Sequence, residues 1–221
     1  MTPEKIKPRW VFRGASSEEK VAVPDFFNLN NIPEGTARIM MRRGISTEEK
    51  LTHFLYDTLD NLSDPFLMKG MQQAVRRIIQ AIDLKEKIVI YGDYDVDGIT
   101  STSICVRCLR KLGADVNFYI PLREEEGYGL NRDAINKLSE EGVSLLITVD
   151  CGISSVDLVA EAPQSLDIII TDHHQPPKVL PDCVAVLNPH QEDCPYPYKE
   201  LAGCGVAFTP VSYTHLRAHE T

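Results

Sequence analysis

From Lys87 onward the chain alternates short apolar runs with amphipathic stretches. The runs are K-I-V-I-Y, V-N-F-Y-I, S-L-L-I-T-V, L-D-I-I-I-T and C-V-A-V-L. Runs this short and this continuously apolar suit strands covered on both faces, and the segments between them, Ile99 to Leu112, Arg132 to Glu140 and Ser154 to Ala162, suit crossover helices. The pattern predicts an α/β fold, a mostly parallel doubly wound sheet over residues 85–208. Residues 1–84 read as a helical N-terminal region. There S-T-E-E-K-L-T-H-F-L opens with Ser46 or Thr47 as N-cap and acids in the first turn, and M-K-G-M-Q-Q-A-V-R-R-I-I-Q-A-I repeats apolar residues at helical spacing. Residues 209–221 lack a clear amphipathic period, resemble translated adapter sequence, and are expected to be a non-native tail.

Each predicted strand ends in polar chemistry. The first is followed by Asp93, Asp95 and Asp97, the second leads to Arg123, and the third ends at Asp150. The fourth ends at Asp172, His173 and His174, and the fifth leads to Asn188 and His190. Ligands of open α/β sheets bind outside the carboxyl ends of the strands, so these groups are expected to meet in one crevice.

The segment D-Y-D-V-D-G sharpens that expectation. If it continues the strand, its aspartates share a face with side chains about 6.6 Å apart. Two carboxylates at that separation repel by about 0.6 kcal/mol in water and about 2.5 kcal/mol at an effective dielectric of about 20. A solvated acidic turn is one reading of the segment, but a plain turn before a helix needs one aspartate as N-cap rather than three, so a cation site is the other. An EF-hand loop is excluded, because Ile104 stands where its twelfth-position acid would be. Asp150 and the D-H-H triplet add oxygen and imidazole donors of the mixed kind that Mn²⁺ accepts, with Mg²⁺ as substitute.

Composition narrows the classes further. No apolar run approaches the roughly 20 residues of a membrane helix, and the N-terminus M-T-P-E-K-I-K-P-R-W lacks the apolar stretch of a secretory signal. Six scattered cysteines fit reduced thiols in a cytoplasm, and the lone C-x-x-C of Cys105 and Cys108 falls in a helical pattern without the second pair that zinc needs. The net charge of −9 disfavours an extended nucleic-acid surface but not a local groove. Arg107, Arg110 and Lys111 read as a solvated helix face, and His215 with His219 mimics a metal pair in the excluded tail.

The blocks V-I-Y-G-D-Y-D-V-D-G-I-T-S-T, Y-I-P-L-R-E-E-E-G-Y-G-L, T-V-D-C-G-I, I-I-T-D-H-H-Q-P-P, V-L-N-P-H and L-A-G-C-G-V-A-F occur in that order over about residues 85–208. Together they resemble the DHH phosphoesterase superfamily, and within it the bacterial exonucleases that attack single-stranded DNA from the 5′ end. The resemblance implies metal ligation by Asp95, Asp97, Asp150 and His173, with Asp93 as a further member and Asp150 bridging two ions, Mn²⁺ or Mg²⁺. It implies catalytic roles for Asp172 and His174, orienting ligands or contacting the scissile phosphate. Arg123, Gly127, Tyr128 and Gly129 resemble a block that contacts substrate. The superfamily pattern continues beyond A-G-C-G-V-A-F to another metal-binding aspartate and a separate substrate-binding domain; this sequence has neither, so the catalytic domain is expected to be incomplete at its C-terminal end.

The implied function is metal-dependent phosphodiester hydrolysis of single-stranded DNA in repair and recombination, with a single-strand-binding protein or a helicase as candidate partner and no membrane. One alternative is a phosphodiesterase of the same superfamily acting on short oligonucleotides or cyclic dinucleotides. Another is a non-catalytic replication or repair binding protein with the same fold.

Overall fold

The computed structural model describes residues 22–58, 61–122 and 129–217, with side chains through residue 212. The chain divides into two compact units, Met1–Asn61 and Leu62–Thr221.

In the first unit three short helices, α1 (Asp25–Leu29), α2 (Glu34–Arg42) and α3 (Glu48–Tyr56), surround Phe27, Ala37, Met40 and Leu51. Thr47 is the N-cap of α3; its hydroxyl accepts the Lys50 N–H at 3.3 Å, satisfying one of the donors that a helix start leaves over.

The second unit starts with a 3-10 turn (Pro65–Leu67) and α4 (Met71–Asp83), then runs β1 (Lys87–Tyr91), α5 (Val96–Lys111), β2 (Asp115–Tyr119), α6 (Arg132–Glu140), β3 (Val143–Val149), α7 (Val156–Ala160), β4 (Asp167–Thr171), β5 (Ala185–Leu187) and α8 (Gly203–Arg217). The strands form one sheet in the order β2-β1-β3-β4-β5, and all four pairings are parallel. Its two faces explain the unbroken apolar runs. Ile88, Ile90, Leu145, Ile147 and Ile169 pack on the side of α4, α5 and α8, while Val89, Tyr91, Leu146, Ile168 and Ile170 pack on the side of α6 and α7. The central strands are apolar at nearly every buried position, Thr148 and Thr171 donating their hydroxyls to the Cys151 and Thr148 carbonyls, whereas the edge strand β2 exposes Asp115 and Asn117.

Two departures from the sequence pattern have clear causes. α4, read as part of the N-terminal helical region, belongs to the sheet's core: Met71, Ala74, Val75, Ile78 and Ala81 are buried there. Its approach is close, since a Cβ on Gly70 would stand 2.7 Å from the Val186 carbonyl oxygen. α8 continues as helix past residue 209, with Thr209, Pro210 and Val211 buried. Arg107, Arg110 and Lys111 are exposed on α5, and Cys105 is buried with its thiol facing the Ala207 carbonyl, a packing role. Among the described residues no helix is long and apolar enough to cross a membrane.

Strand order places the site. β1 connects outward to β2, whereas β3 leads the other way to β4, so the loops leaving β1 and β3 part company between neighbouring strands. That reversal opens a crevice at the carboxyl ends of β1 and β3.

Candidate metal centre

Each loop above the sheet is fastened by a hydrogen bond to the next strand. Gly92 N donates to Tyr119 O, Asp150 N to Thr171 O and Asp172 N to Leu187 O, each at 3.0 Å. These bonds continue the ladder one residue past the strand ends and hold the polar residues at one level.

The three alternate aspartates do not share a strand face, contrary to the geometry the spacing implied. β1 stops at Tyr91, and the chain turns directly into α5. Asp93 is buried in the turn, with Oδ1 accepting the Tyr94 N–H at 2.6 Å. Asp95 is the N-cap of α5 and accepts the Gly98 N–H at 2.9 Å. Asp97, in the first helical turn, faces α8: its Oδ2 and Oδ1 accept the N–H groups of Gly203 and Cys204 at 2.6 and 2.7 Å. The turn is tight because Gly98 lies against Asp93, where a Cβ would be 2.6 Å from backbone atoms.

Asp150 is central. It ends β3 in the left-handed region, φ 61°, a conformation costing a residue other than glycine on the order of 1 kcal/mol but tolerated best by Asp and Asn. Its carboxylate is buried, and Oδ1 makes no hydrogen bond although His173 Nε2 approaches to 3.0 Å. Burial, then the charges of Asp97 and Asp95, push the Asp150 carboxyl up to about 7. One ligand atom each from Asp150, His173 and His174 fall within 4.8 Å of one another; so do one each from Asp93, Asp95 and Asp150. Asp150 is common to both groups.

The D-H-H triplet divides its labour. Asp172 is buried and spends its oxygens on local structure: Oδ1 accepts the N–H groups of His173 (2.7 Å) and His174 (3.0 Å), and Oδ2 that of Ile153 (3.0 Å). The same Oδ1 lies 2.7 Å from His174 Nδ1, which selects the tautomer that leaves Nε2 as the lone-pair nitrogen. Burial favours a neutral His174, but the hydrogen bond and charge of Asp172, then Asp150 and Asp95, outweigh it and raise the ring's pKa. Asp172 thus positions the histidines rather than facing the crevice.

The site's potential is negative. The ion pairs of Asp97, Asp150 and Asp172 among the described residues are all with histidine. Nearby, the Cys151 thiol is pushed up by burial and then by Asp172, Asp93 and Asp150. A buried carboxylate oxygen without a hydrogen bond, facing an imidazole nitrogen in a cluster of acids, is the donor set a divalent cation satisfies, so these residues fit Mn²⁺ or Mg²⁺.

Of the residues expected to contact substrate, Arg123, Gly127 and Tyr128 lie outside the described residues, as do the side chain of His215 and all of His219. Gly129 is described: its carbonyl accepts the buried Tyr91 hydroxyl at 3.0 Å, anchoring the end of that block to β1. Two contributors had gone without a role in the sequence pattern. Asn188, buried beyond β5, donates to the His174 carbonyl at 2.8 Å and accepts the His190 N–H at 2.8 Å, bracing the D-H-H turn. Gly203, the first residue of α8, lies so close to Asp150 that a Cβ would stand 2.6 Å from Oδ1. The glycine pair in A-G-C-G was the available signal.

The DHH family, N-terminal domain, matches residues 87–220. The single-stranded-DNA-specific exonuclease RecJ of Bacillus subtilis is 46% identical over 91% of this chain, and that of Haemophilus influenzae is 45% identical over 68%. The chain spans only 25% and 27% of those relatives' lengths. Among solved structures, RecJ of Thermus thermophilus in complex with Mn²⁺ superposes with a TM-score of 0.65 at 29% identity, covering 88% of this chain and 27% of that one. An exonuclease RecJ bound to manganese gives 0.61 at 36% identity over 68% and 38%. Because the family match begins with β1 and runs through every strand tip that supplies a candidate ligand, the chain belongs to the DHH family.

Proposed function

We propose that this chain carries the metal centre of a single-strand-specific DNA exonuclease that hydrolyses phosphodiesters from the 5′ end. The observation that carries the proposal is Asp150: a buried, strained carboxylate shared by two donor groups, one nitrogen-rich and one all-oxygen. Asp150, His173 and His174 would hold one divalent cation, with Asp97 beside it, its Oδ2 3.7 Å from His173 Nε2, and Asp93, Asp95 and Asp150 would hold a second. Cations held there would offset the charge of the clustered acids and would supply Lewis-acid chemistry toward a phosphoryl oxygen and a water molecule.

The remaining work falls to the chain's own groups. Asp172 and Asn188 fix the histidine turn, so that the two imidazoles face the crevice without reorganising when a phosphate arrives. Asp97 holds the first turn of α8 against Asp150. Arg123, Gly127, Tyr128 and Gly129 follow β2 and are the proposed contacts to the strand being degraded.

The names of the relatives support DNA as the substrate, and hydrolysis of single strands belongs with repair and recombination in the cytoplasm. There a helicase or a single-strand-binding protein would present the substrate. The test is degradation of 5′-labelled single-stranded DNA with Mn²⁺, in chelator, and against dinucleotides and duplex. Activity that needs the cation and prefers longer single strands supports the proposal. Undiminished cleavage in chelator, or turnover confined to dinucleotides, refutes it.

A further inference from the structure

Asp97 presents an arrangement that metal ligation alone does not require. A helix start leaves N–H groups without intrahelical partners, and a side-chain acceptor at the preceding residue commonly takes one. The residue before α8 is Ala202, which has no acceptor. The acceptor comes instead from Asp97, 106 residues earlier, and both of its oxygens are used, one on Gly203 N and one on Cys204 N. The same turn of α8 touches Asp150, whose buried Oδ1 is where a Gly203 side chain would have to go. Asp97 Oδ2 is also 3.7 Å from His173 Nε2. One backbone turn is therefore in contact with two carboxylates of the centre, and both of those carboxylates border its histidine.

A carboxylate has about four lone-pair sites, and the two N–H groups of α8 occupy two of them. The others remain for a cation. Resting on the metal centre proposed above, we infer that Asp97 is a positioning residue that couples cation binding to the seating of α8. With one side it caps the helix, and with the other it joins the centre, so each event favours the other by the same factor. A cation beside Asp97, Asp150 and His173 fixes the carboxylate in the orientation that the helix needs. A seated helix holds the carboxylate ready for the cation. The A-G-C-G segment is part of this device, because only a residue without a Cβ lets the helix start lie on Asp150.

The test reads amide hydrogen exchange across the first turn of α8, residues 203–206, in the 221-residue chain with and without Mg²⁺, alongside calorimetric Mg²⁺ binding. Saturating cation is expected to slow exchange there by about five-fold or more, the size of a helix cap. Asp97→Asn, whose amide can accept only one of the two N–H groups, is expected to speed exchange there without cation and to abolish the response to it. The double variant Asp97→Asn/Ala202→Ser gives α8 a cap of its own. It is expected to recover the protection but not the response, which a merely structural role for Asp97 would not produce. Protection of β3 amides in each variant shows that the sheet is folded. Should Asp97→Asn fail to fold, the cation response of the unaltered chain decides by itself. Mg²⁺ that binds without slowing exchange in α8, or a response that survives Asp97→Asn, overturns the coupling. Absence of binding in the unaltered chain overturns the metal centre itself, and the coupling with it.

Discussion

Substituting Asp172 separates positioning from ligation. Its carboxylate is 1% exposed and accepts three backbone N–H groups besides facing the His174 ring. In Asp172→Asn the amide oxygen can replace Oδ1 on the histidine side, but the amide nitrogen then faces the Ile153 N–H, donor against donor. One buried donor left unmade costs about 2 kcal/mol. In Asp172→Ala all three N–H groups lose their acceptor, for a cost of about 4 kcal/mol once partial relaxation is allowed. Urea unfolding in chelator measures both; with a slope of about 2 kcal/mol per M, the midpoints are expected to fall by about 1 M and about 2 M. Because a neutral amide oxygen supports the His174 Nδ1–H less strongly than a carboxylate and so leaves Nε2 a weaker donor, Mn²⁺ affinity is expected to drop about 10- to 100-fold in Asp172→Asn. An unchanged midpoint together with complete loss of Mn²⁺ binding would show that Asp172 is a ligand and would refute its place as the support beneath the histidines.

Glycine substitutions should diverge by site. Gly35→Ala in α2, where nothing lies within 4 Å of the added carbon, is expected to stabilise by about 0.5–1 kcal/mol. Gly98→Ala in α5, where the carbon would meet Asp93 backbone at 2.6 Å, is expected to destabilise by about 1–3 kcal/mol; equal effects in thermal melts would contradict the close turn. Acidity gives another check. Asp150 and His174 both have raised pKa values in the fold, so each contributes stability at low pH that is lost as pH rises through its folded value, about 7 for Asp150. Asp97 has the opposite sign: burial raises its carboxyl, but the Cys204 and Gly203 N–H groups outweigh that, so its contribution is lost only as pH falls below the ordinary carboxylate range. Melts in chelator are expected to drop from pH 5 to pH 8, with Mg²⁺ stabilisation growing over the same interval; a cation effect larger at pH 5 would contradict these signs.

The parallel sheet was legible because burial on both faces writes each strand as an unbroken apolar run, as in K-I-V-I-Y and L-D-I-I-I-T. The crevice was legible too, since acids and histidines cluster where those runs stop. What spacing could not convey was direction. Asp93, Asp95 and Asp97 alternate like strand residues, yet a strand-to-helix turn sends one into the interior, one to the N-cap and one toward α8. Nor could D-H-H reveal that its aspartate faces inward, because that depends on the Ile153 N–H, 19 residues away. The Asp97 contact to α8 joins segments 106 residues apart and leaves no local pattern except a pair of glycines. α4 was legible as a helix but not as a core element, because its apolar stripe does not say which surface it will cover.

Isothermal titration of the chain with Mn²⁺, beside Asp150→Asn, tests the shared carboxylate most directly. Asparagine tolerates the left-handed backbone at this position, so the substitution removes charge while the turn stays in place. The unaltered chain is expected to take up two ions, and Asp150→Asn to lose both sites together, each weakened by about 100-fold or more, about 2.7 kcal/mol. One ion still bound at undiminished affinity in Asp150→Asn would contradict a carboxylate common to both positions.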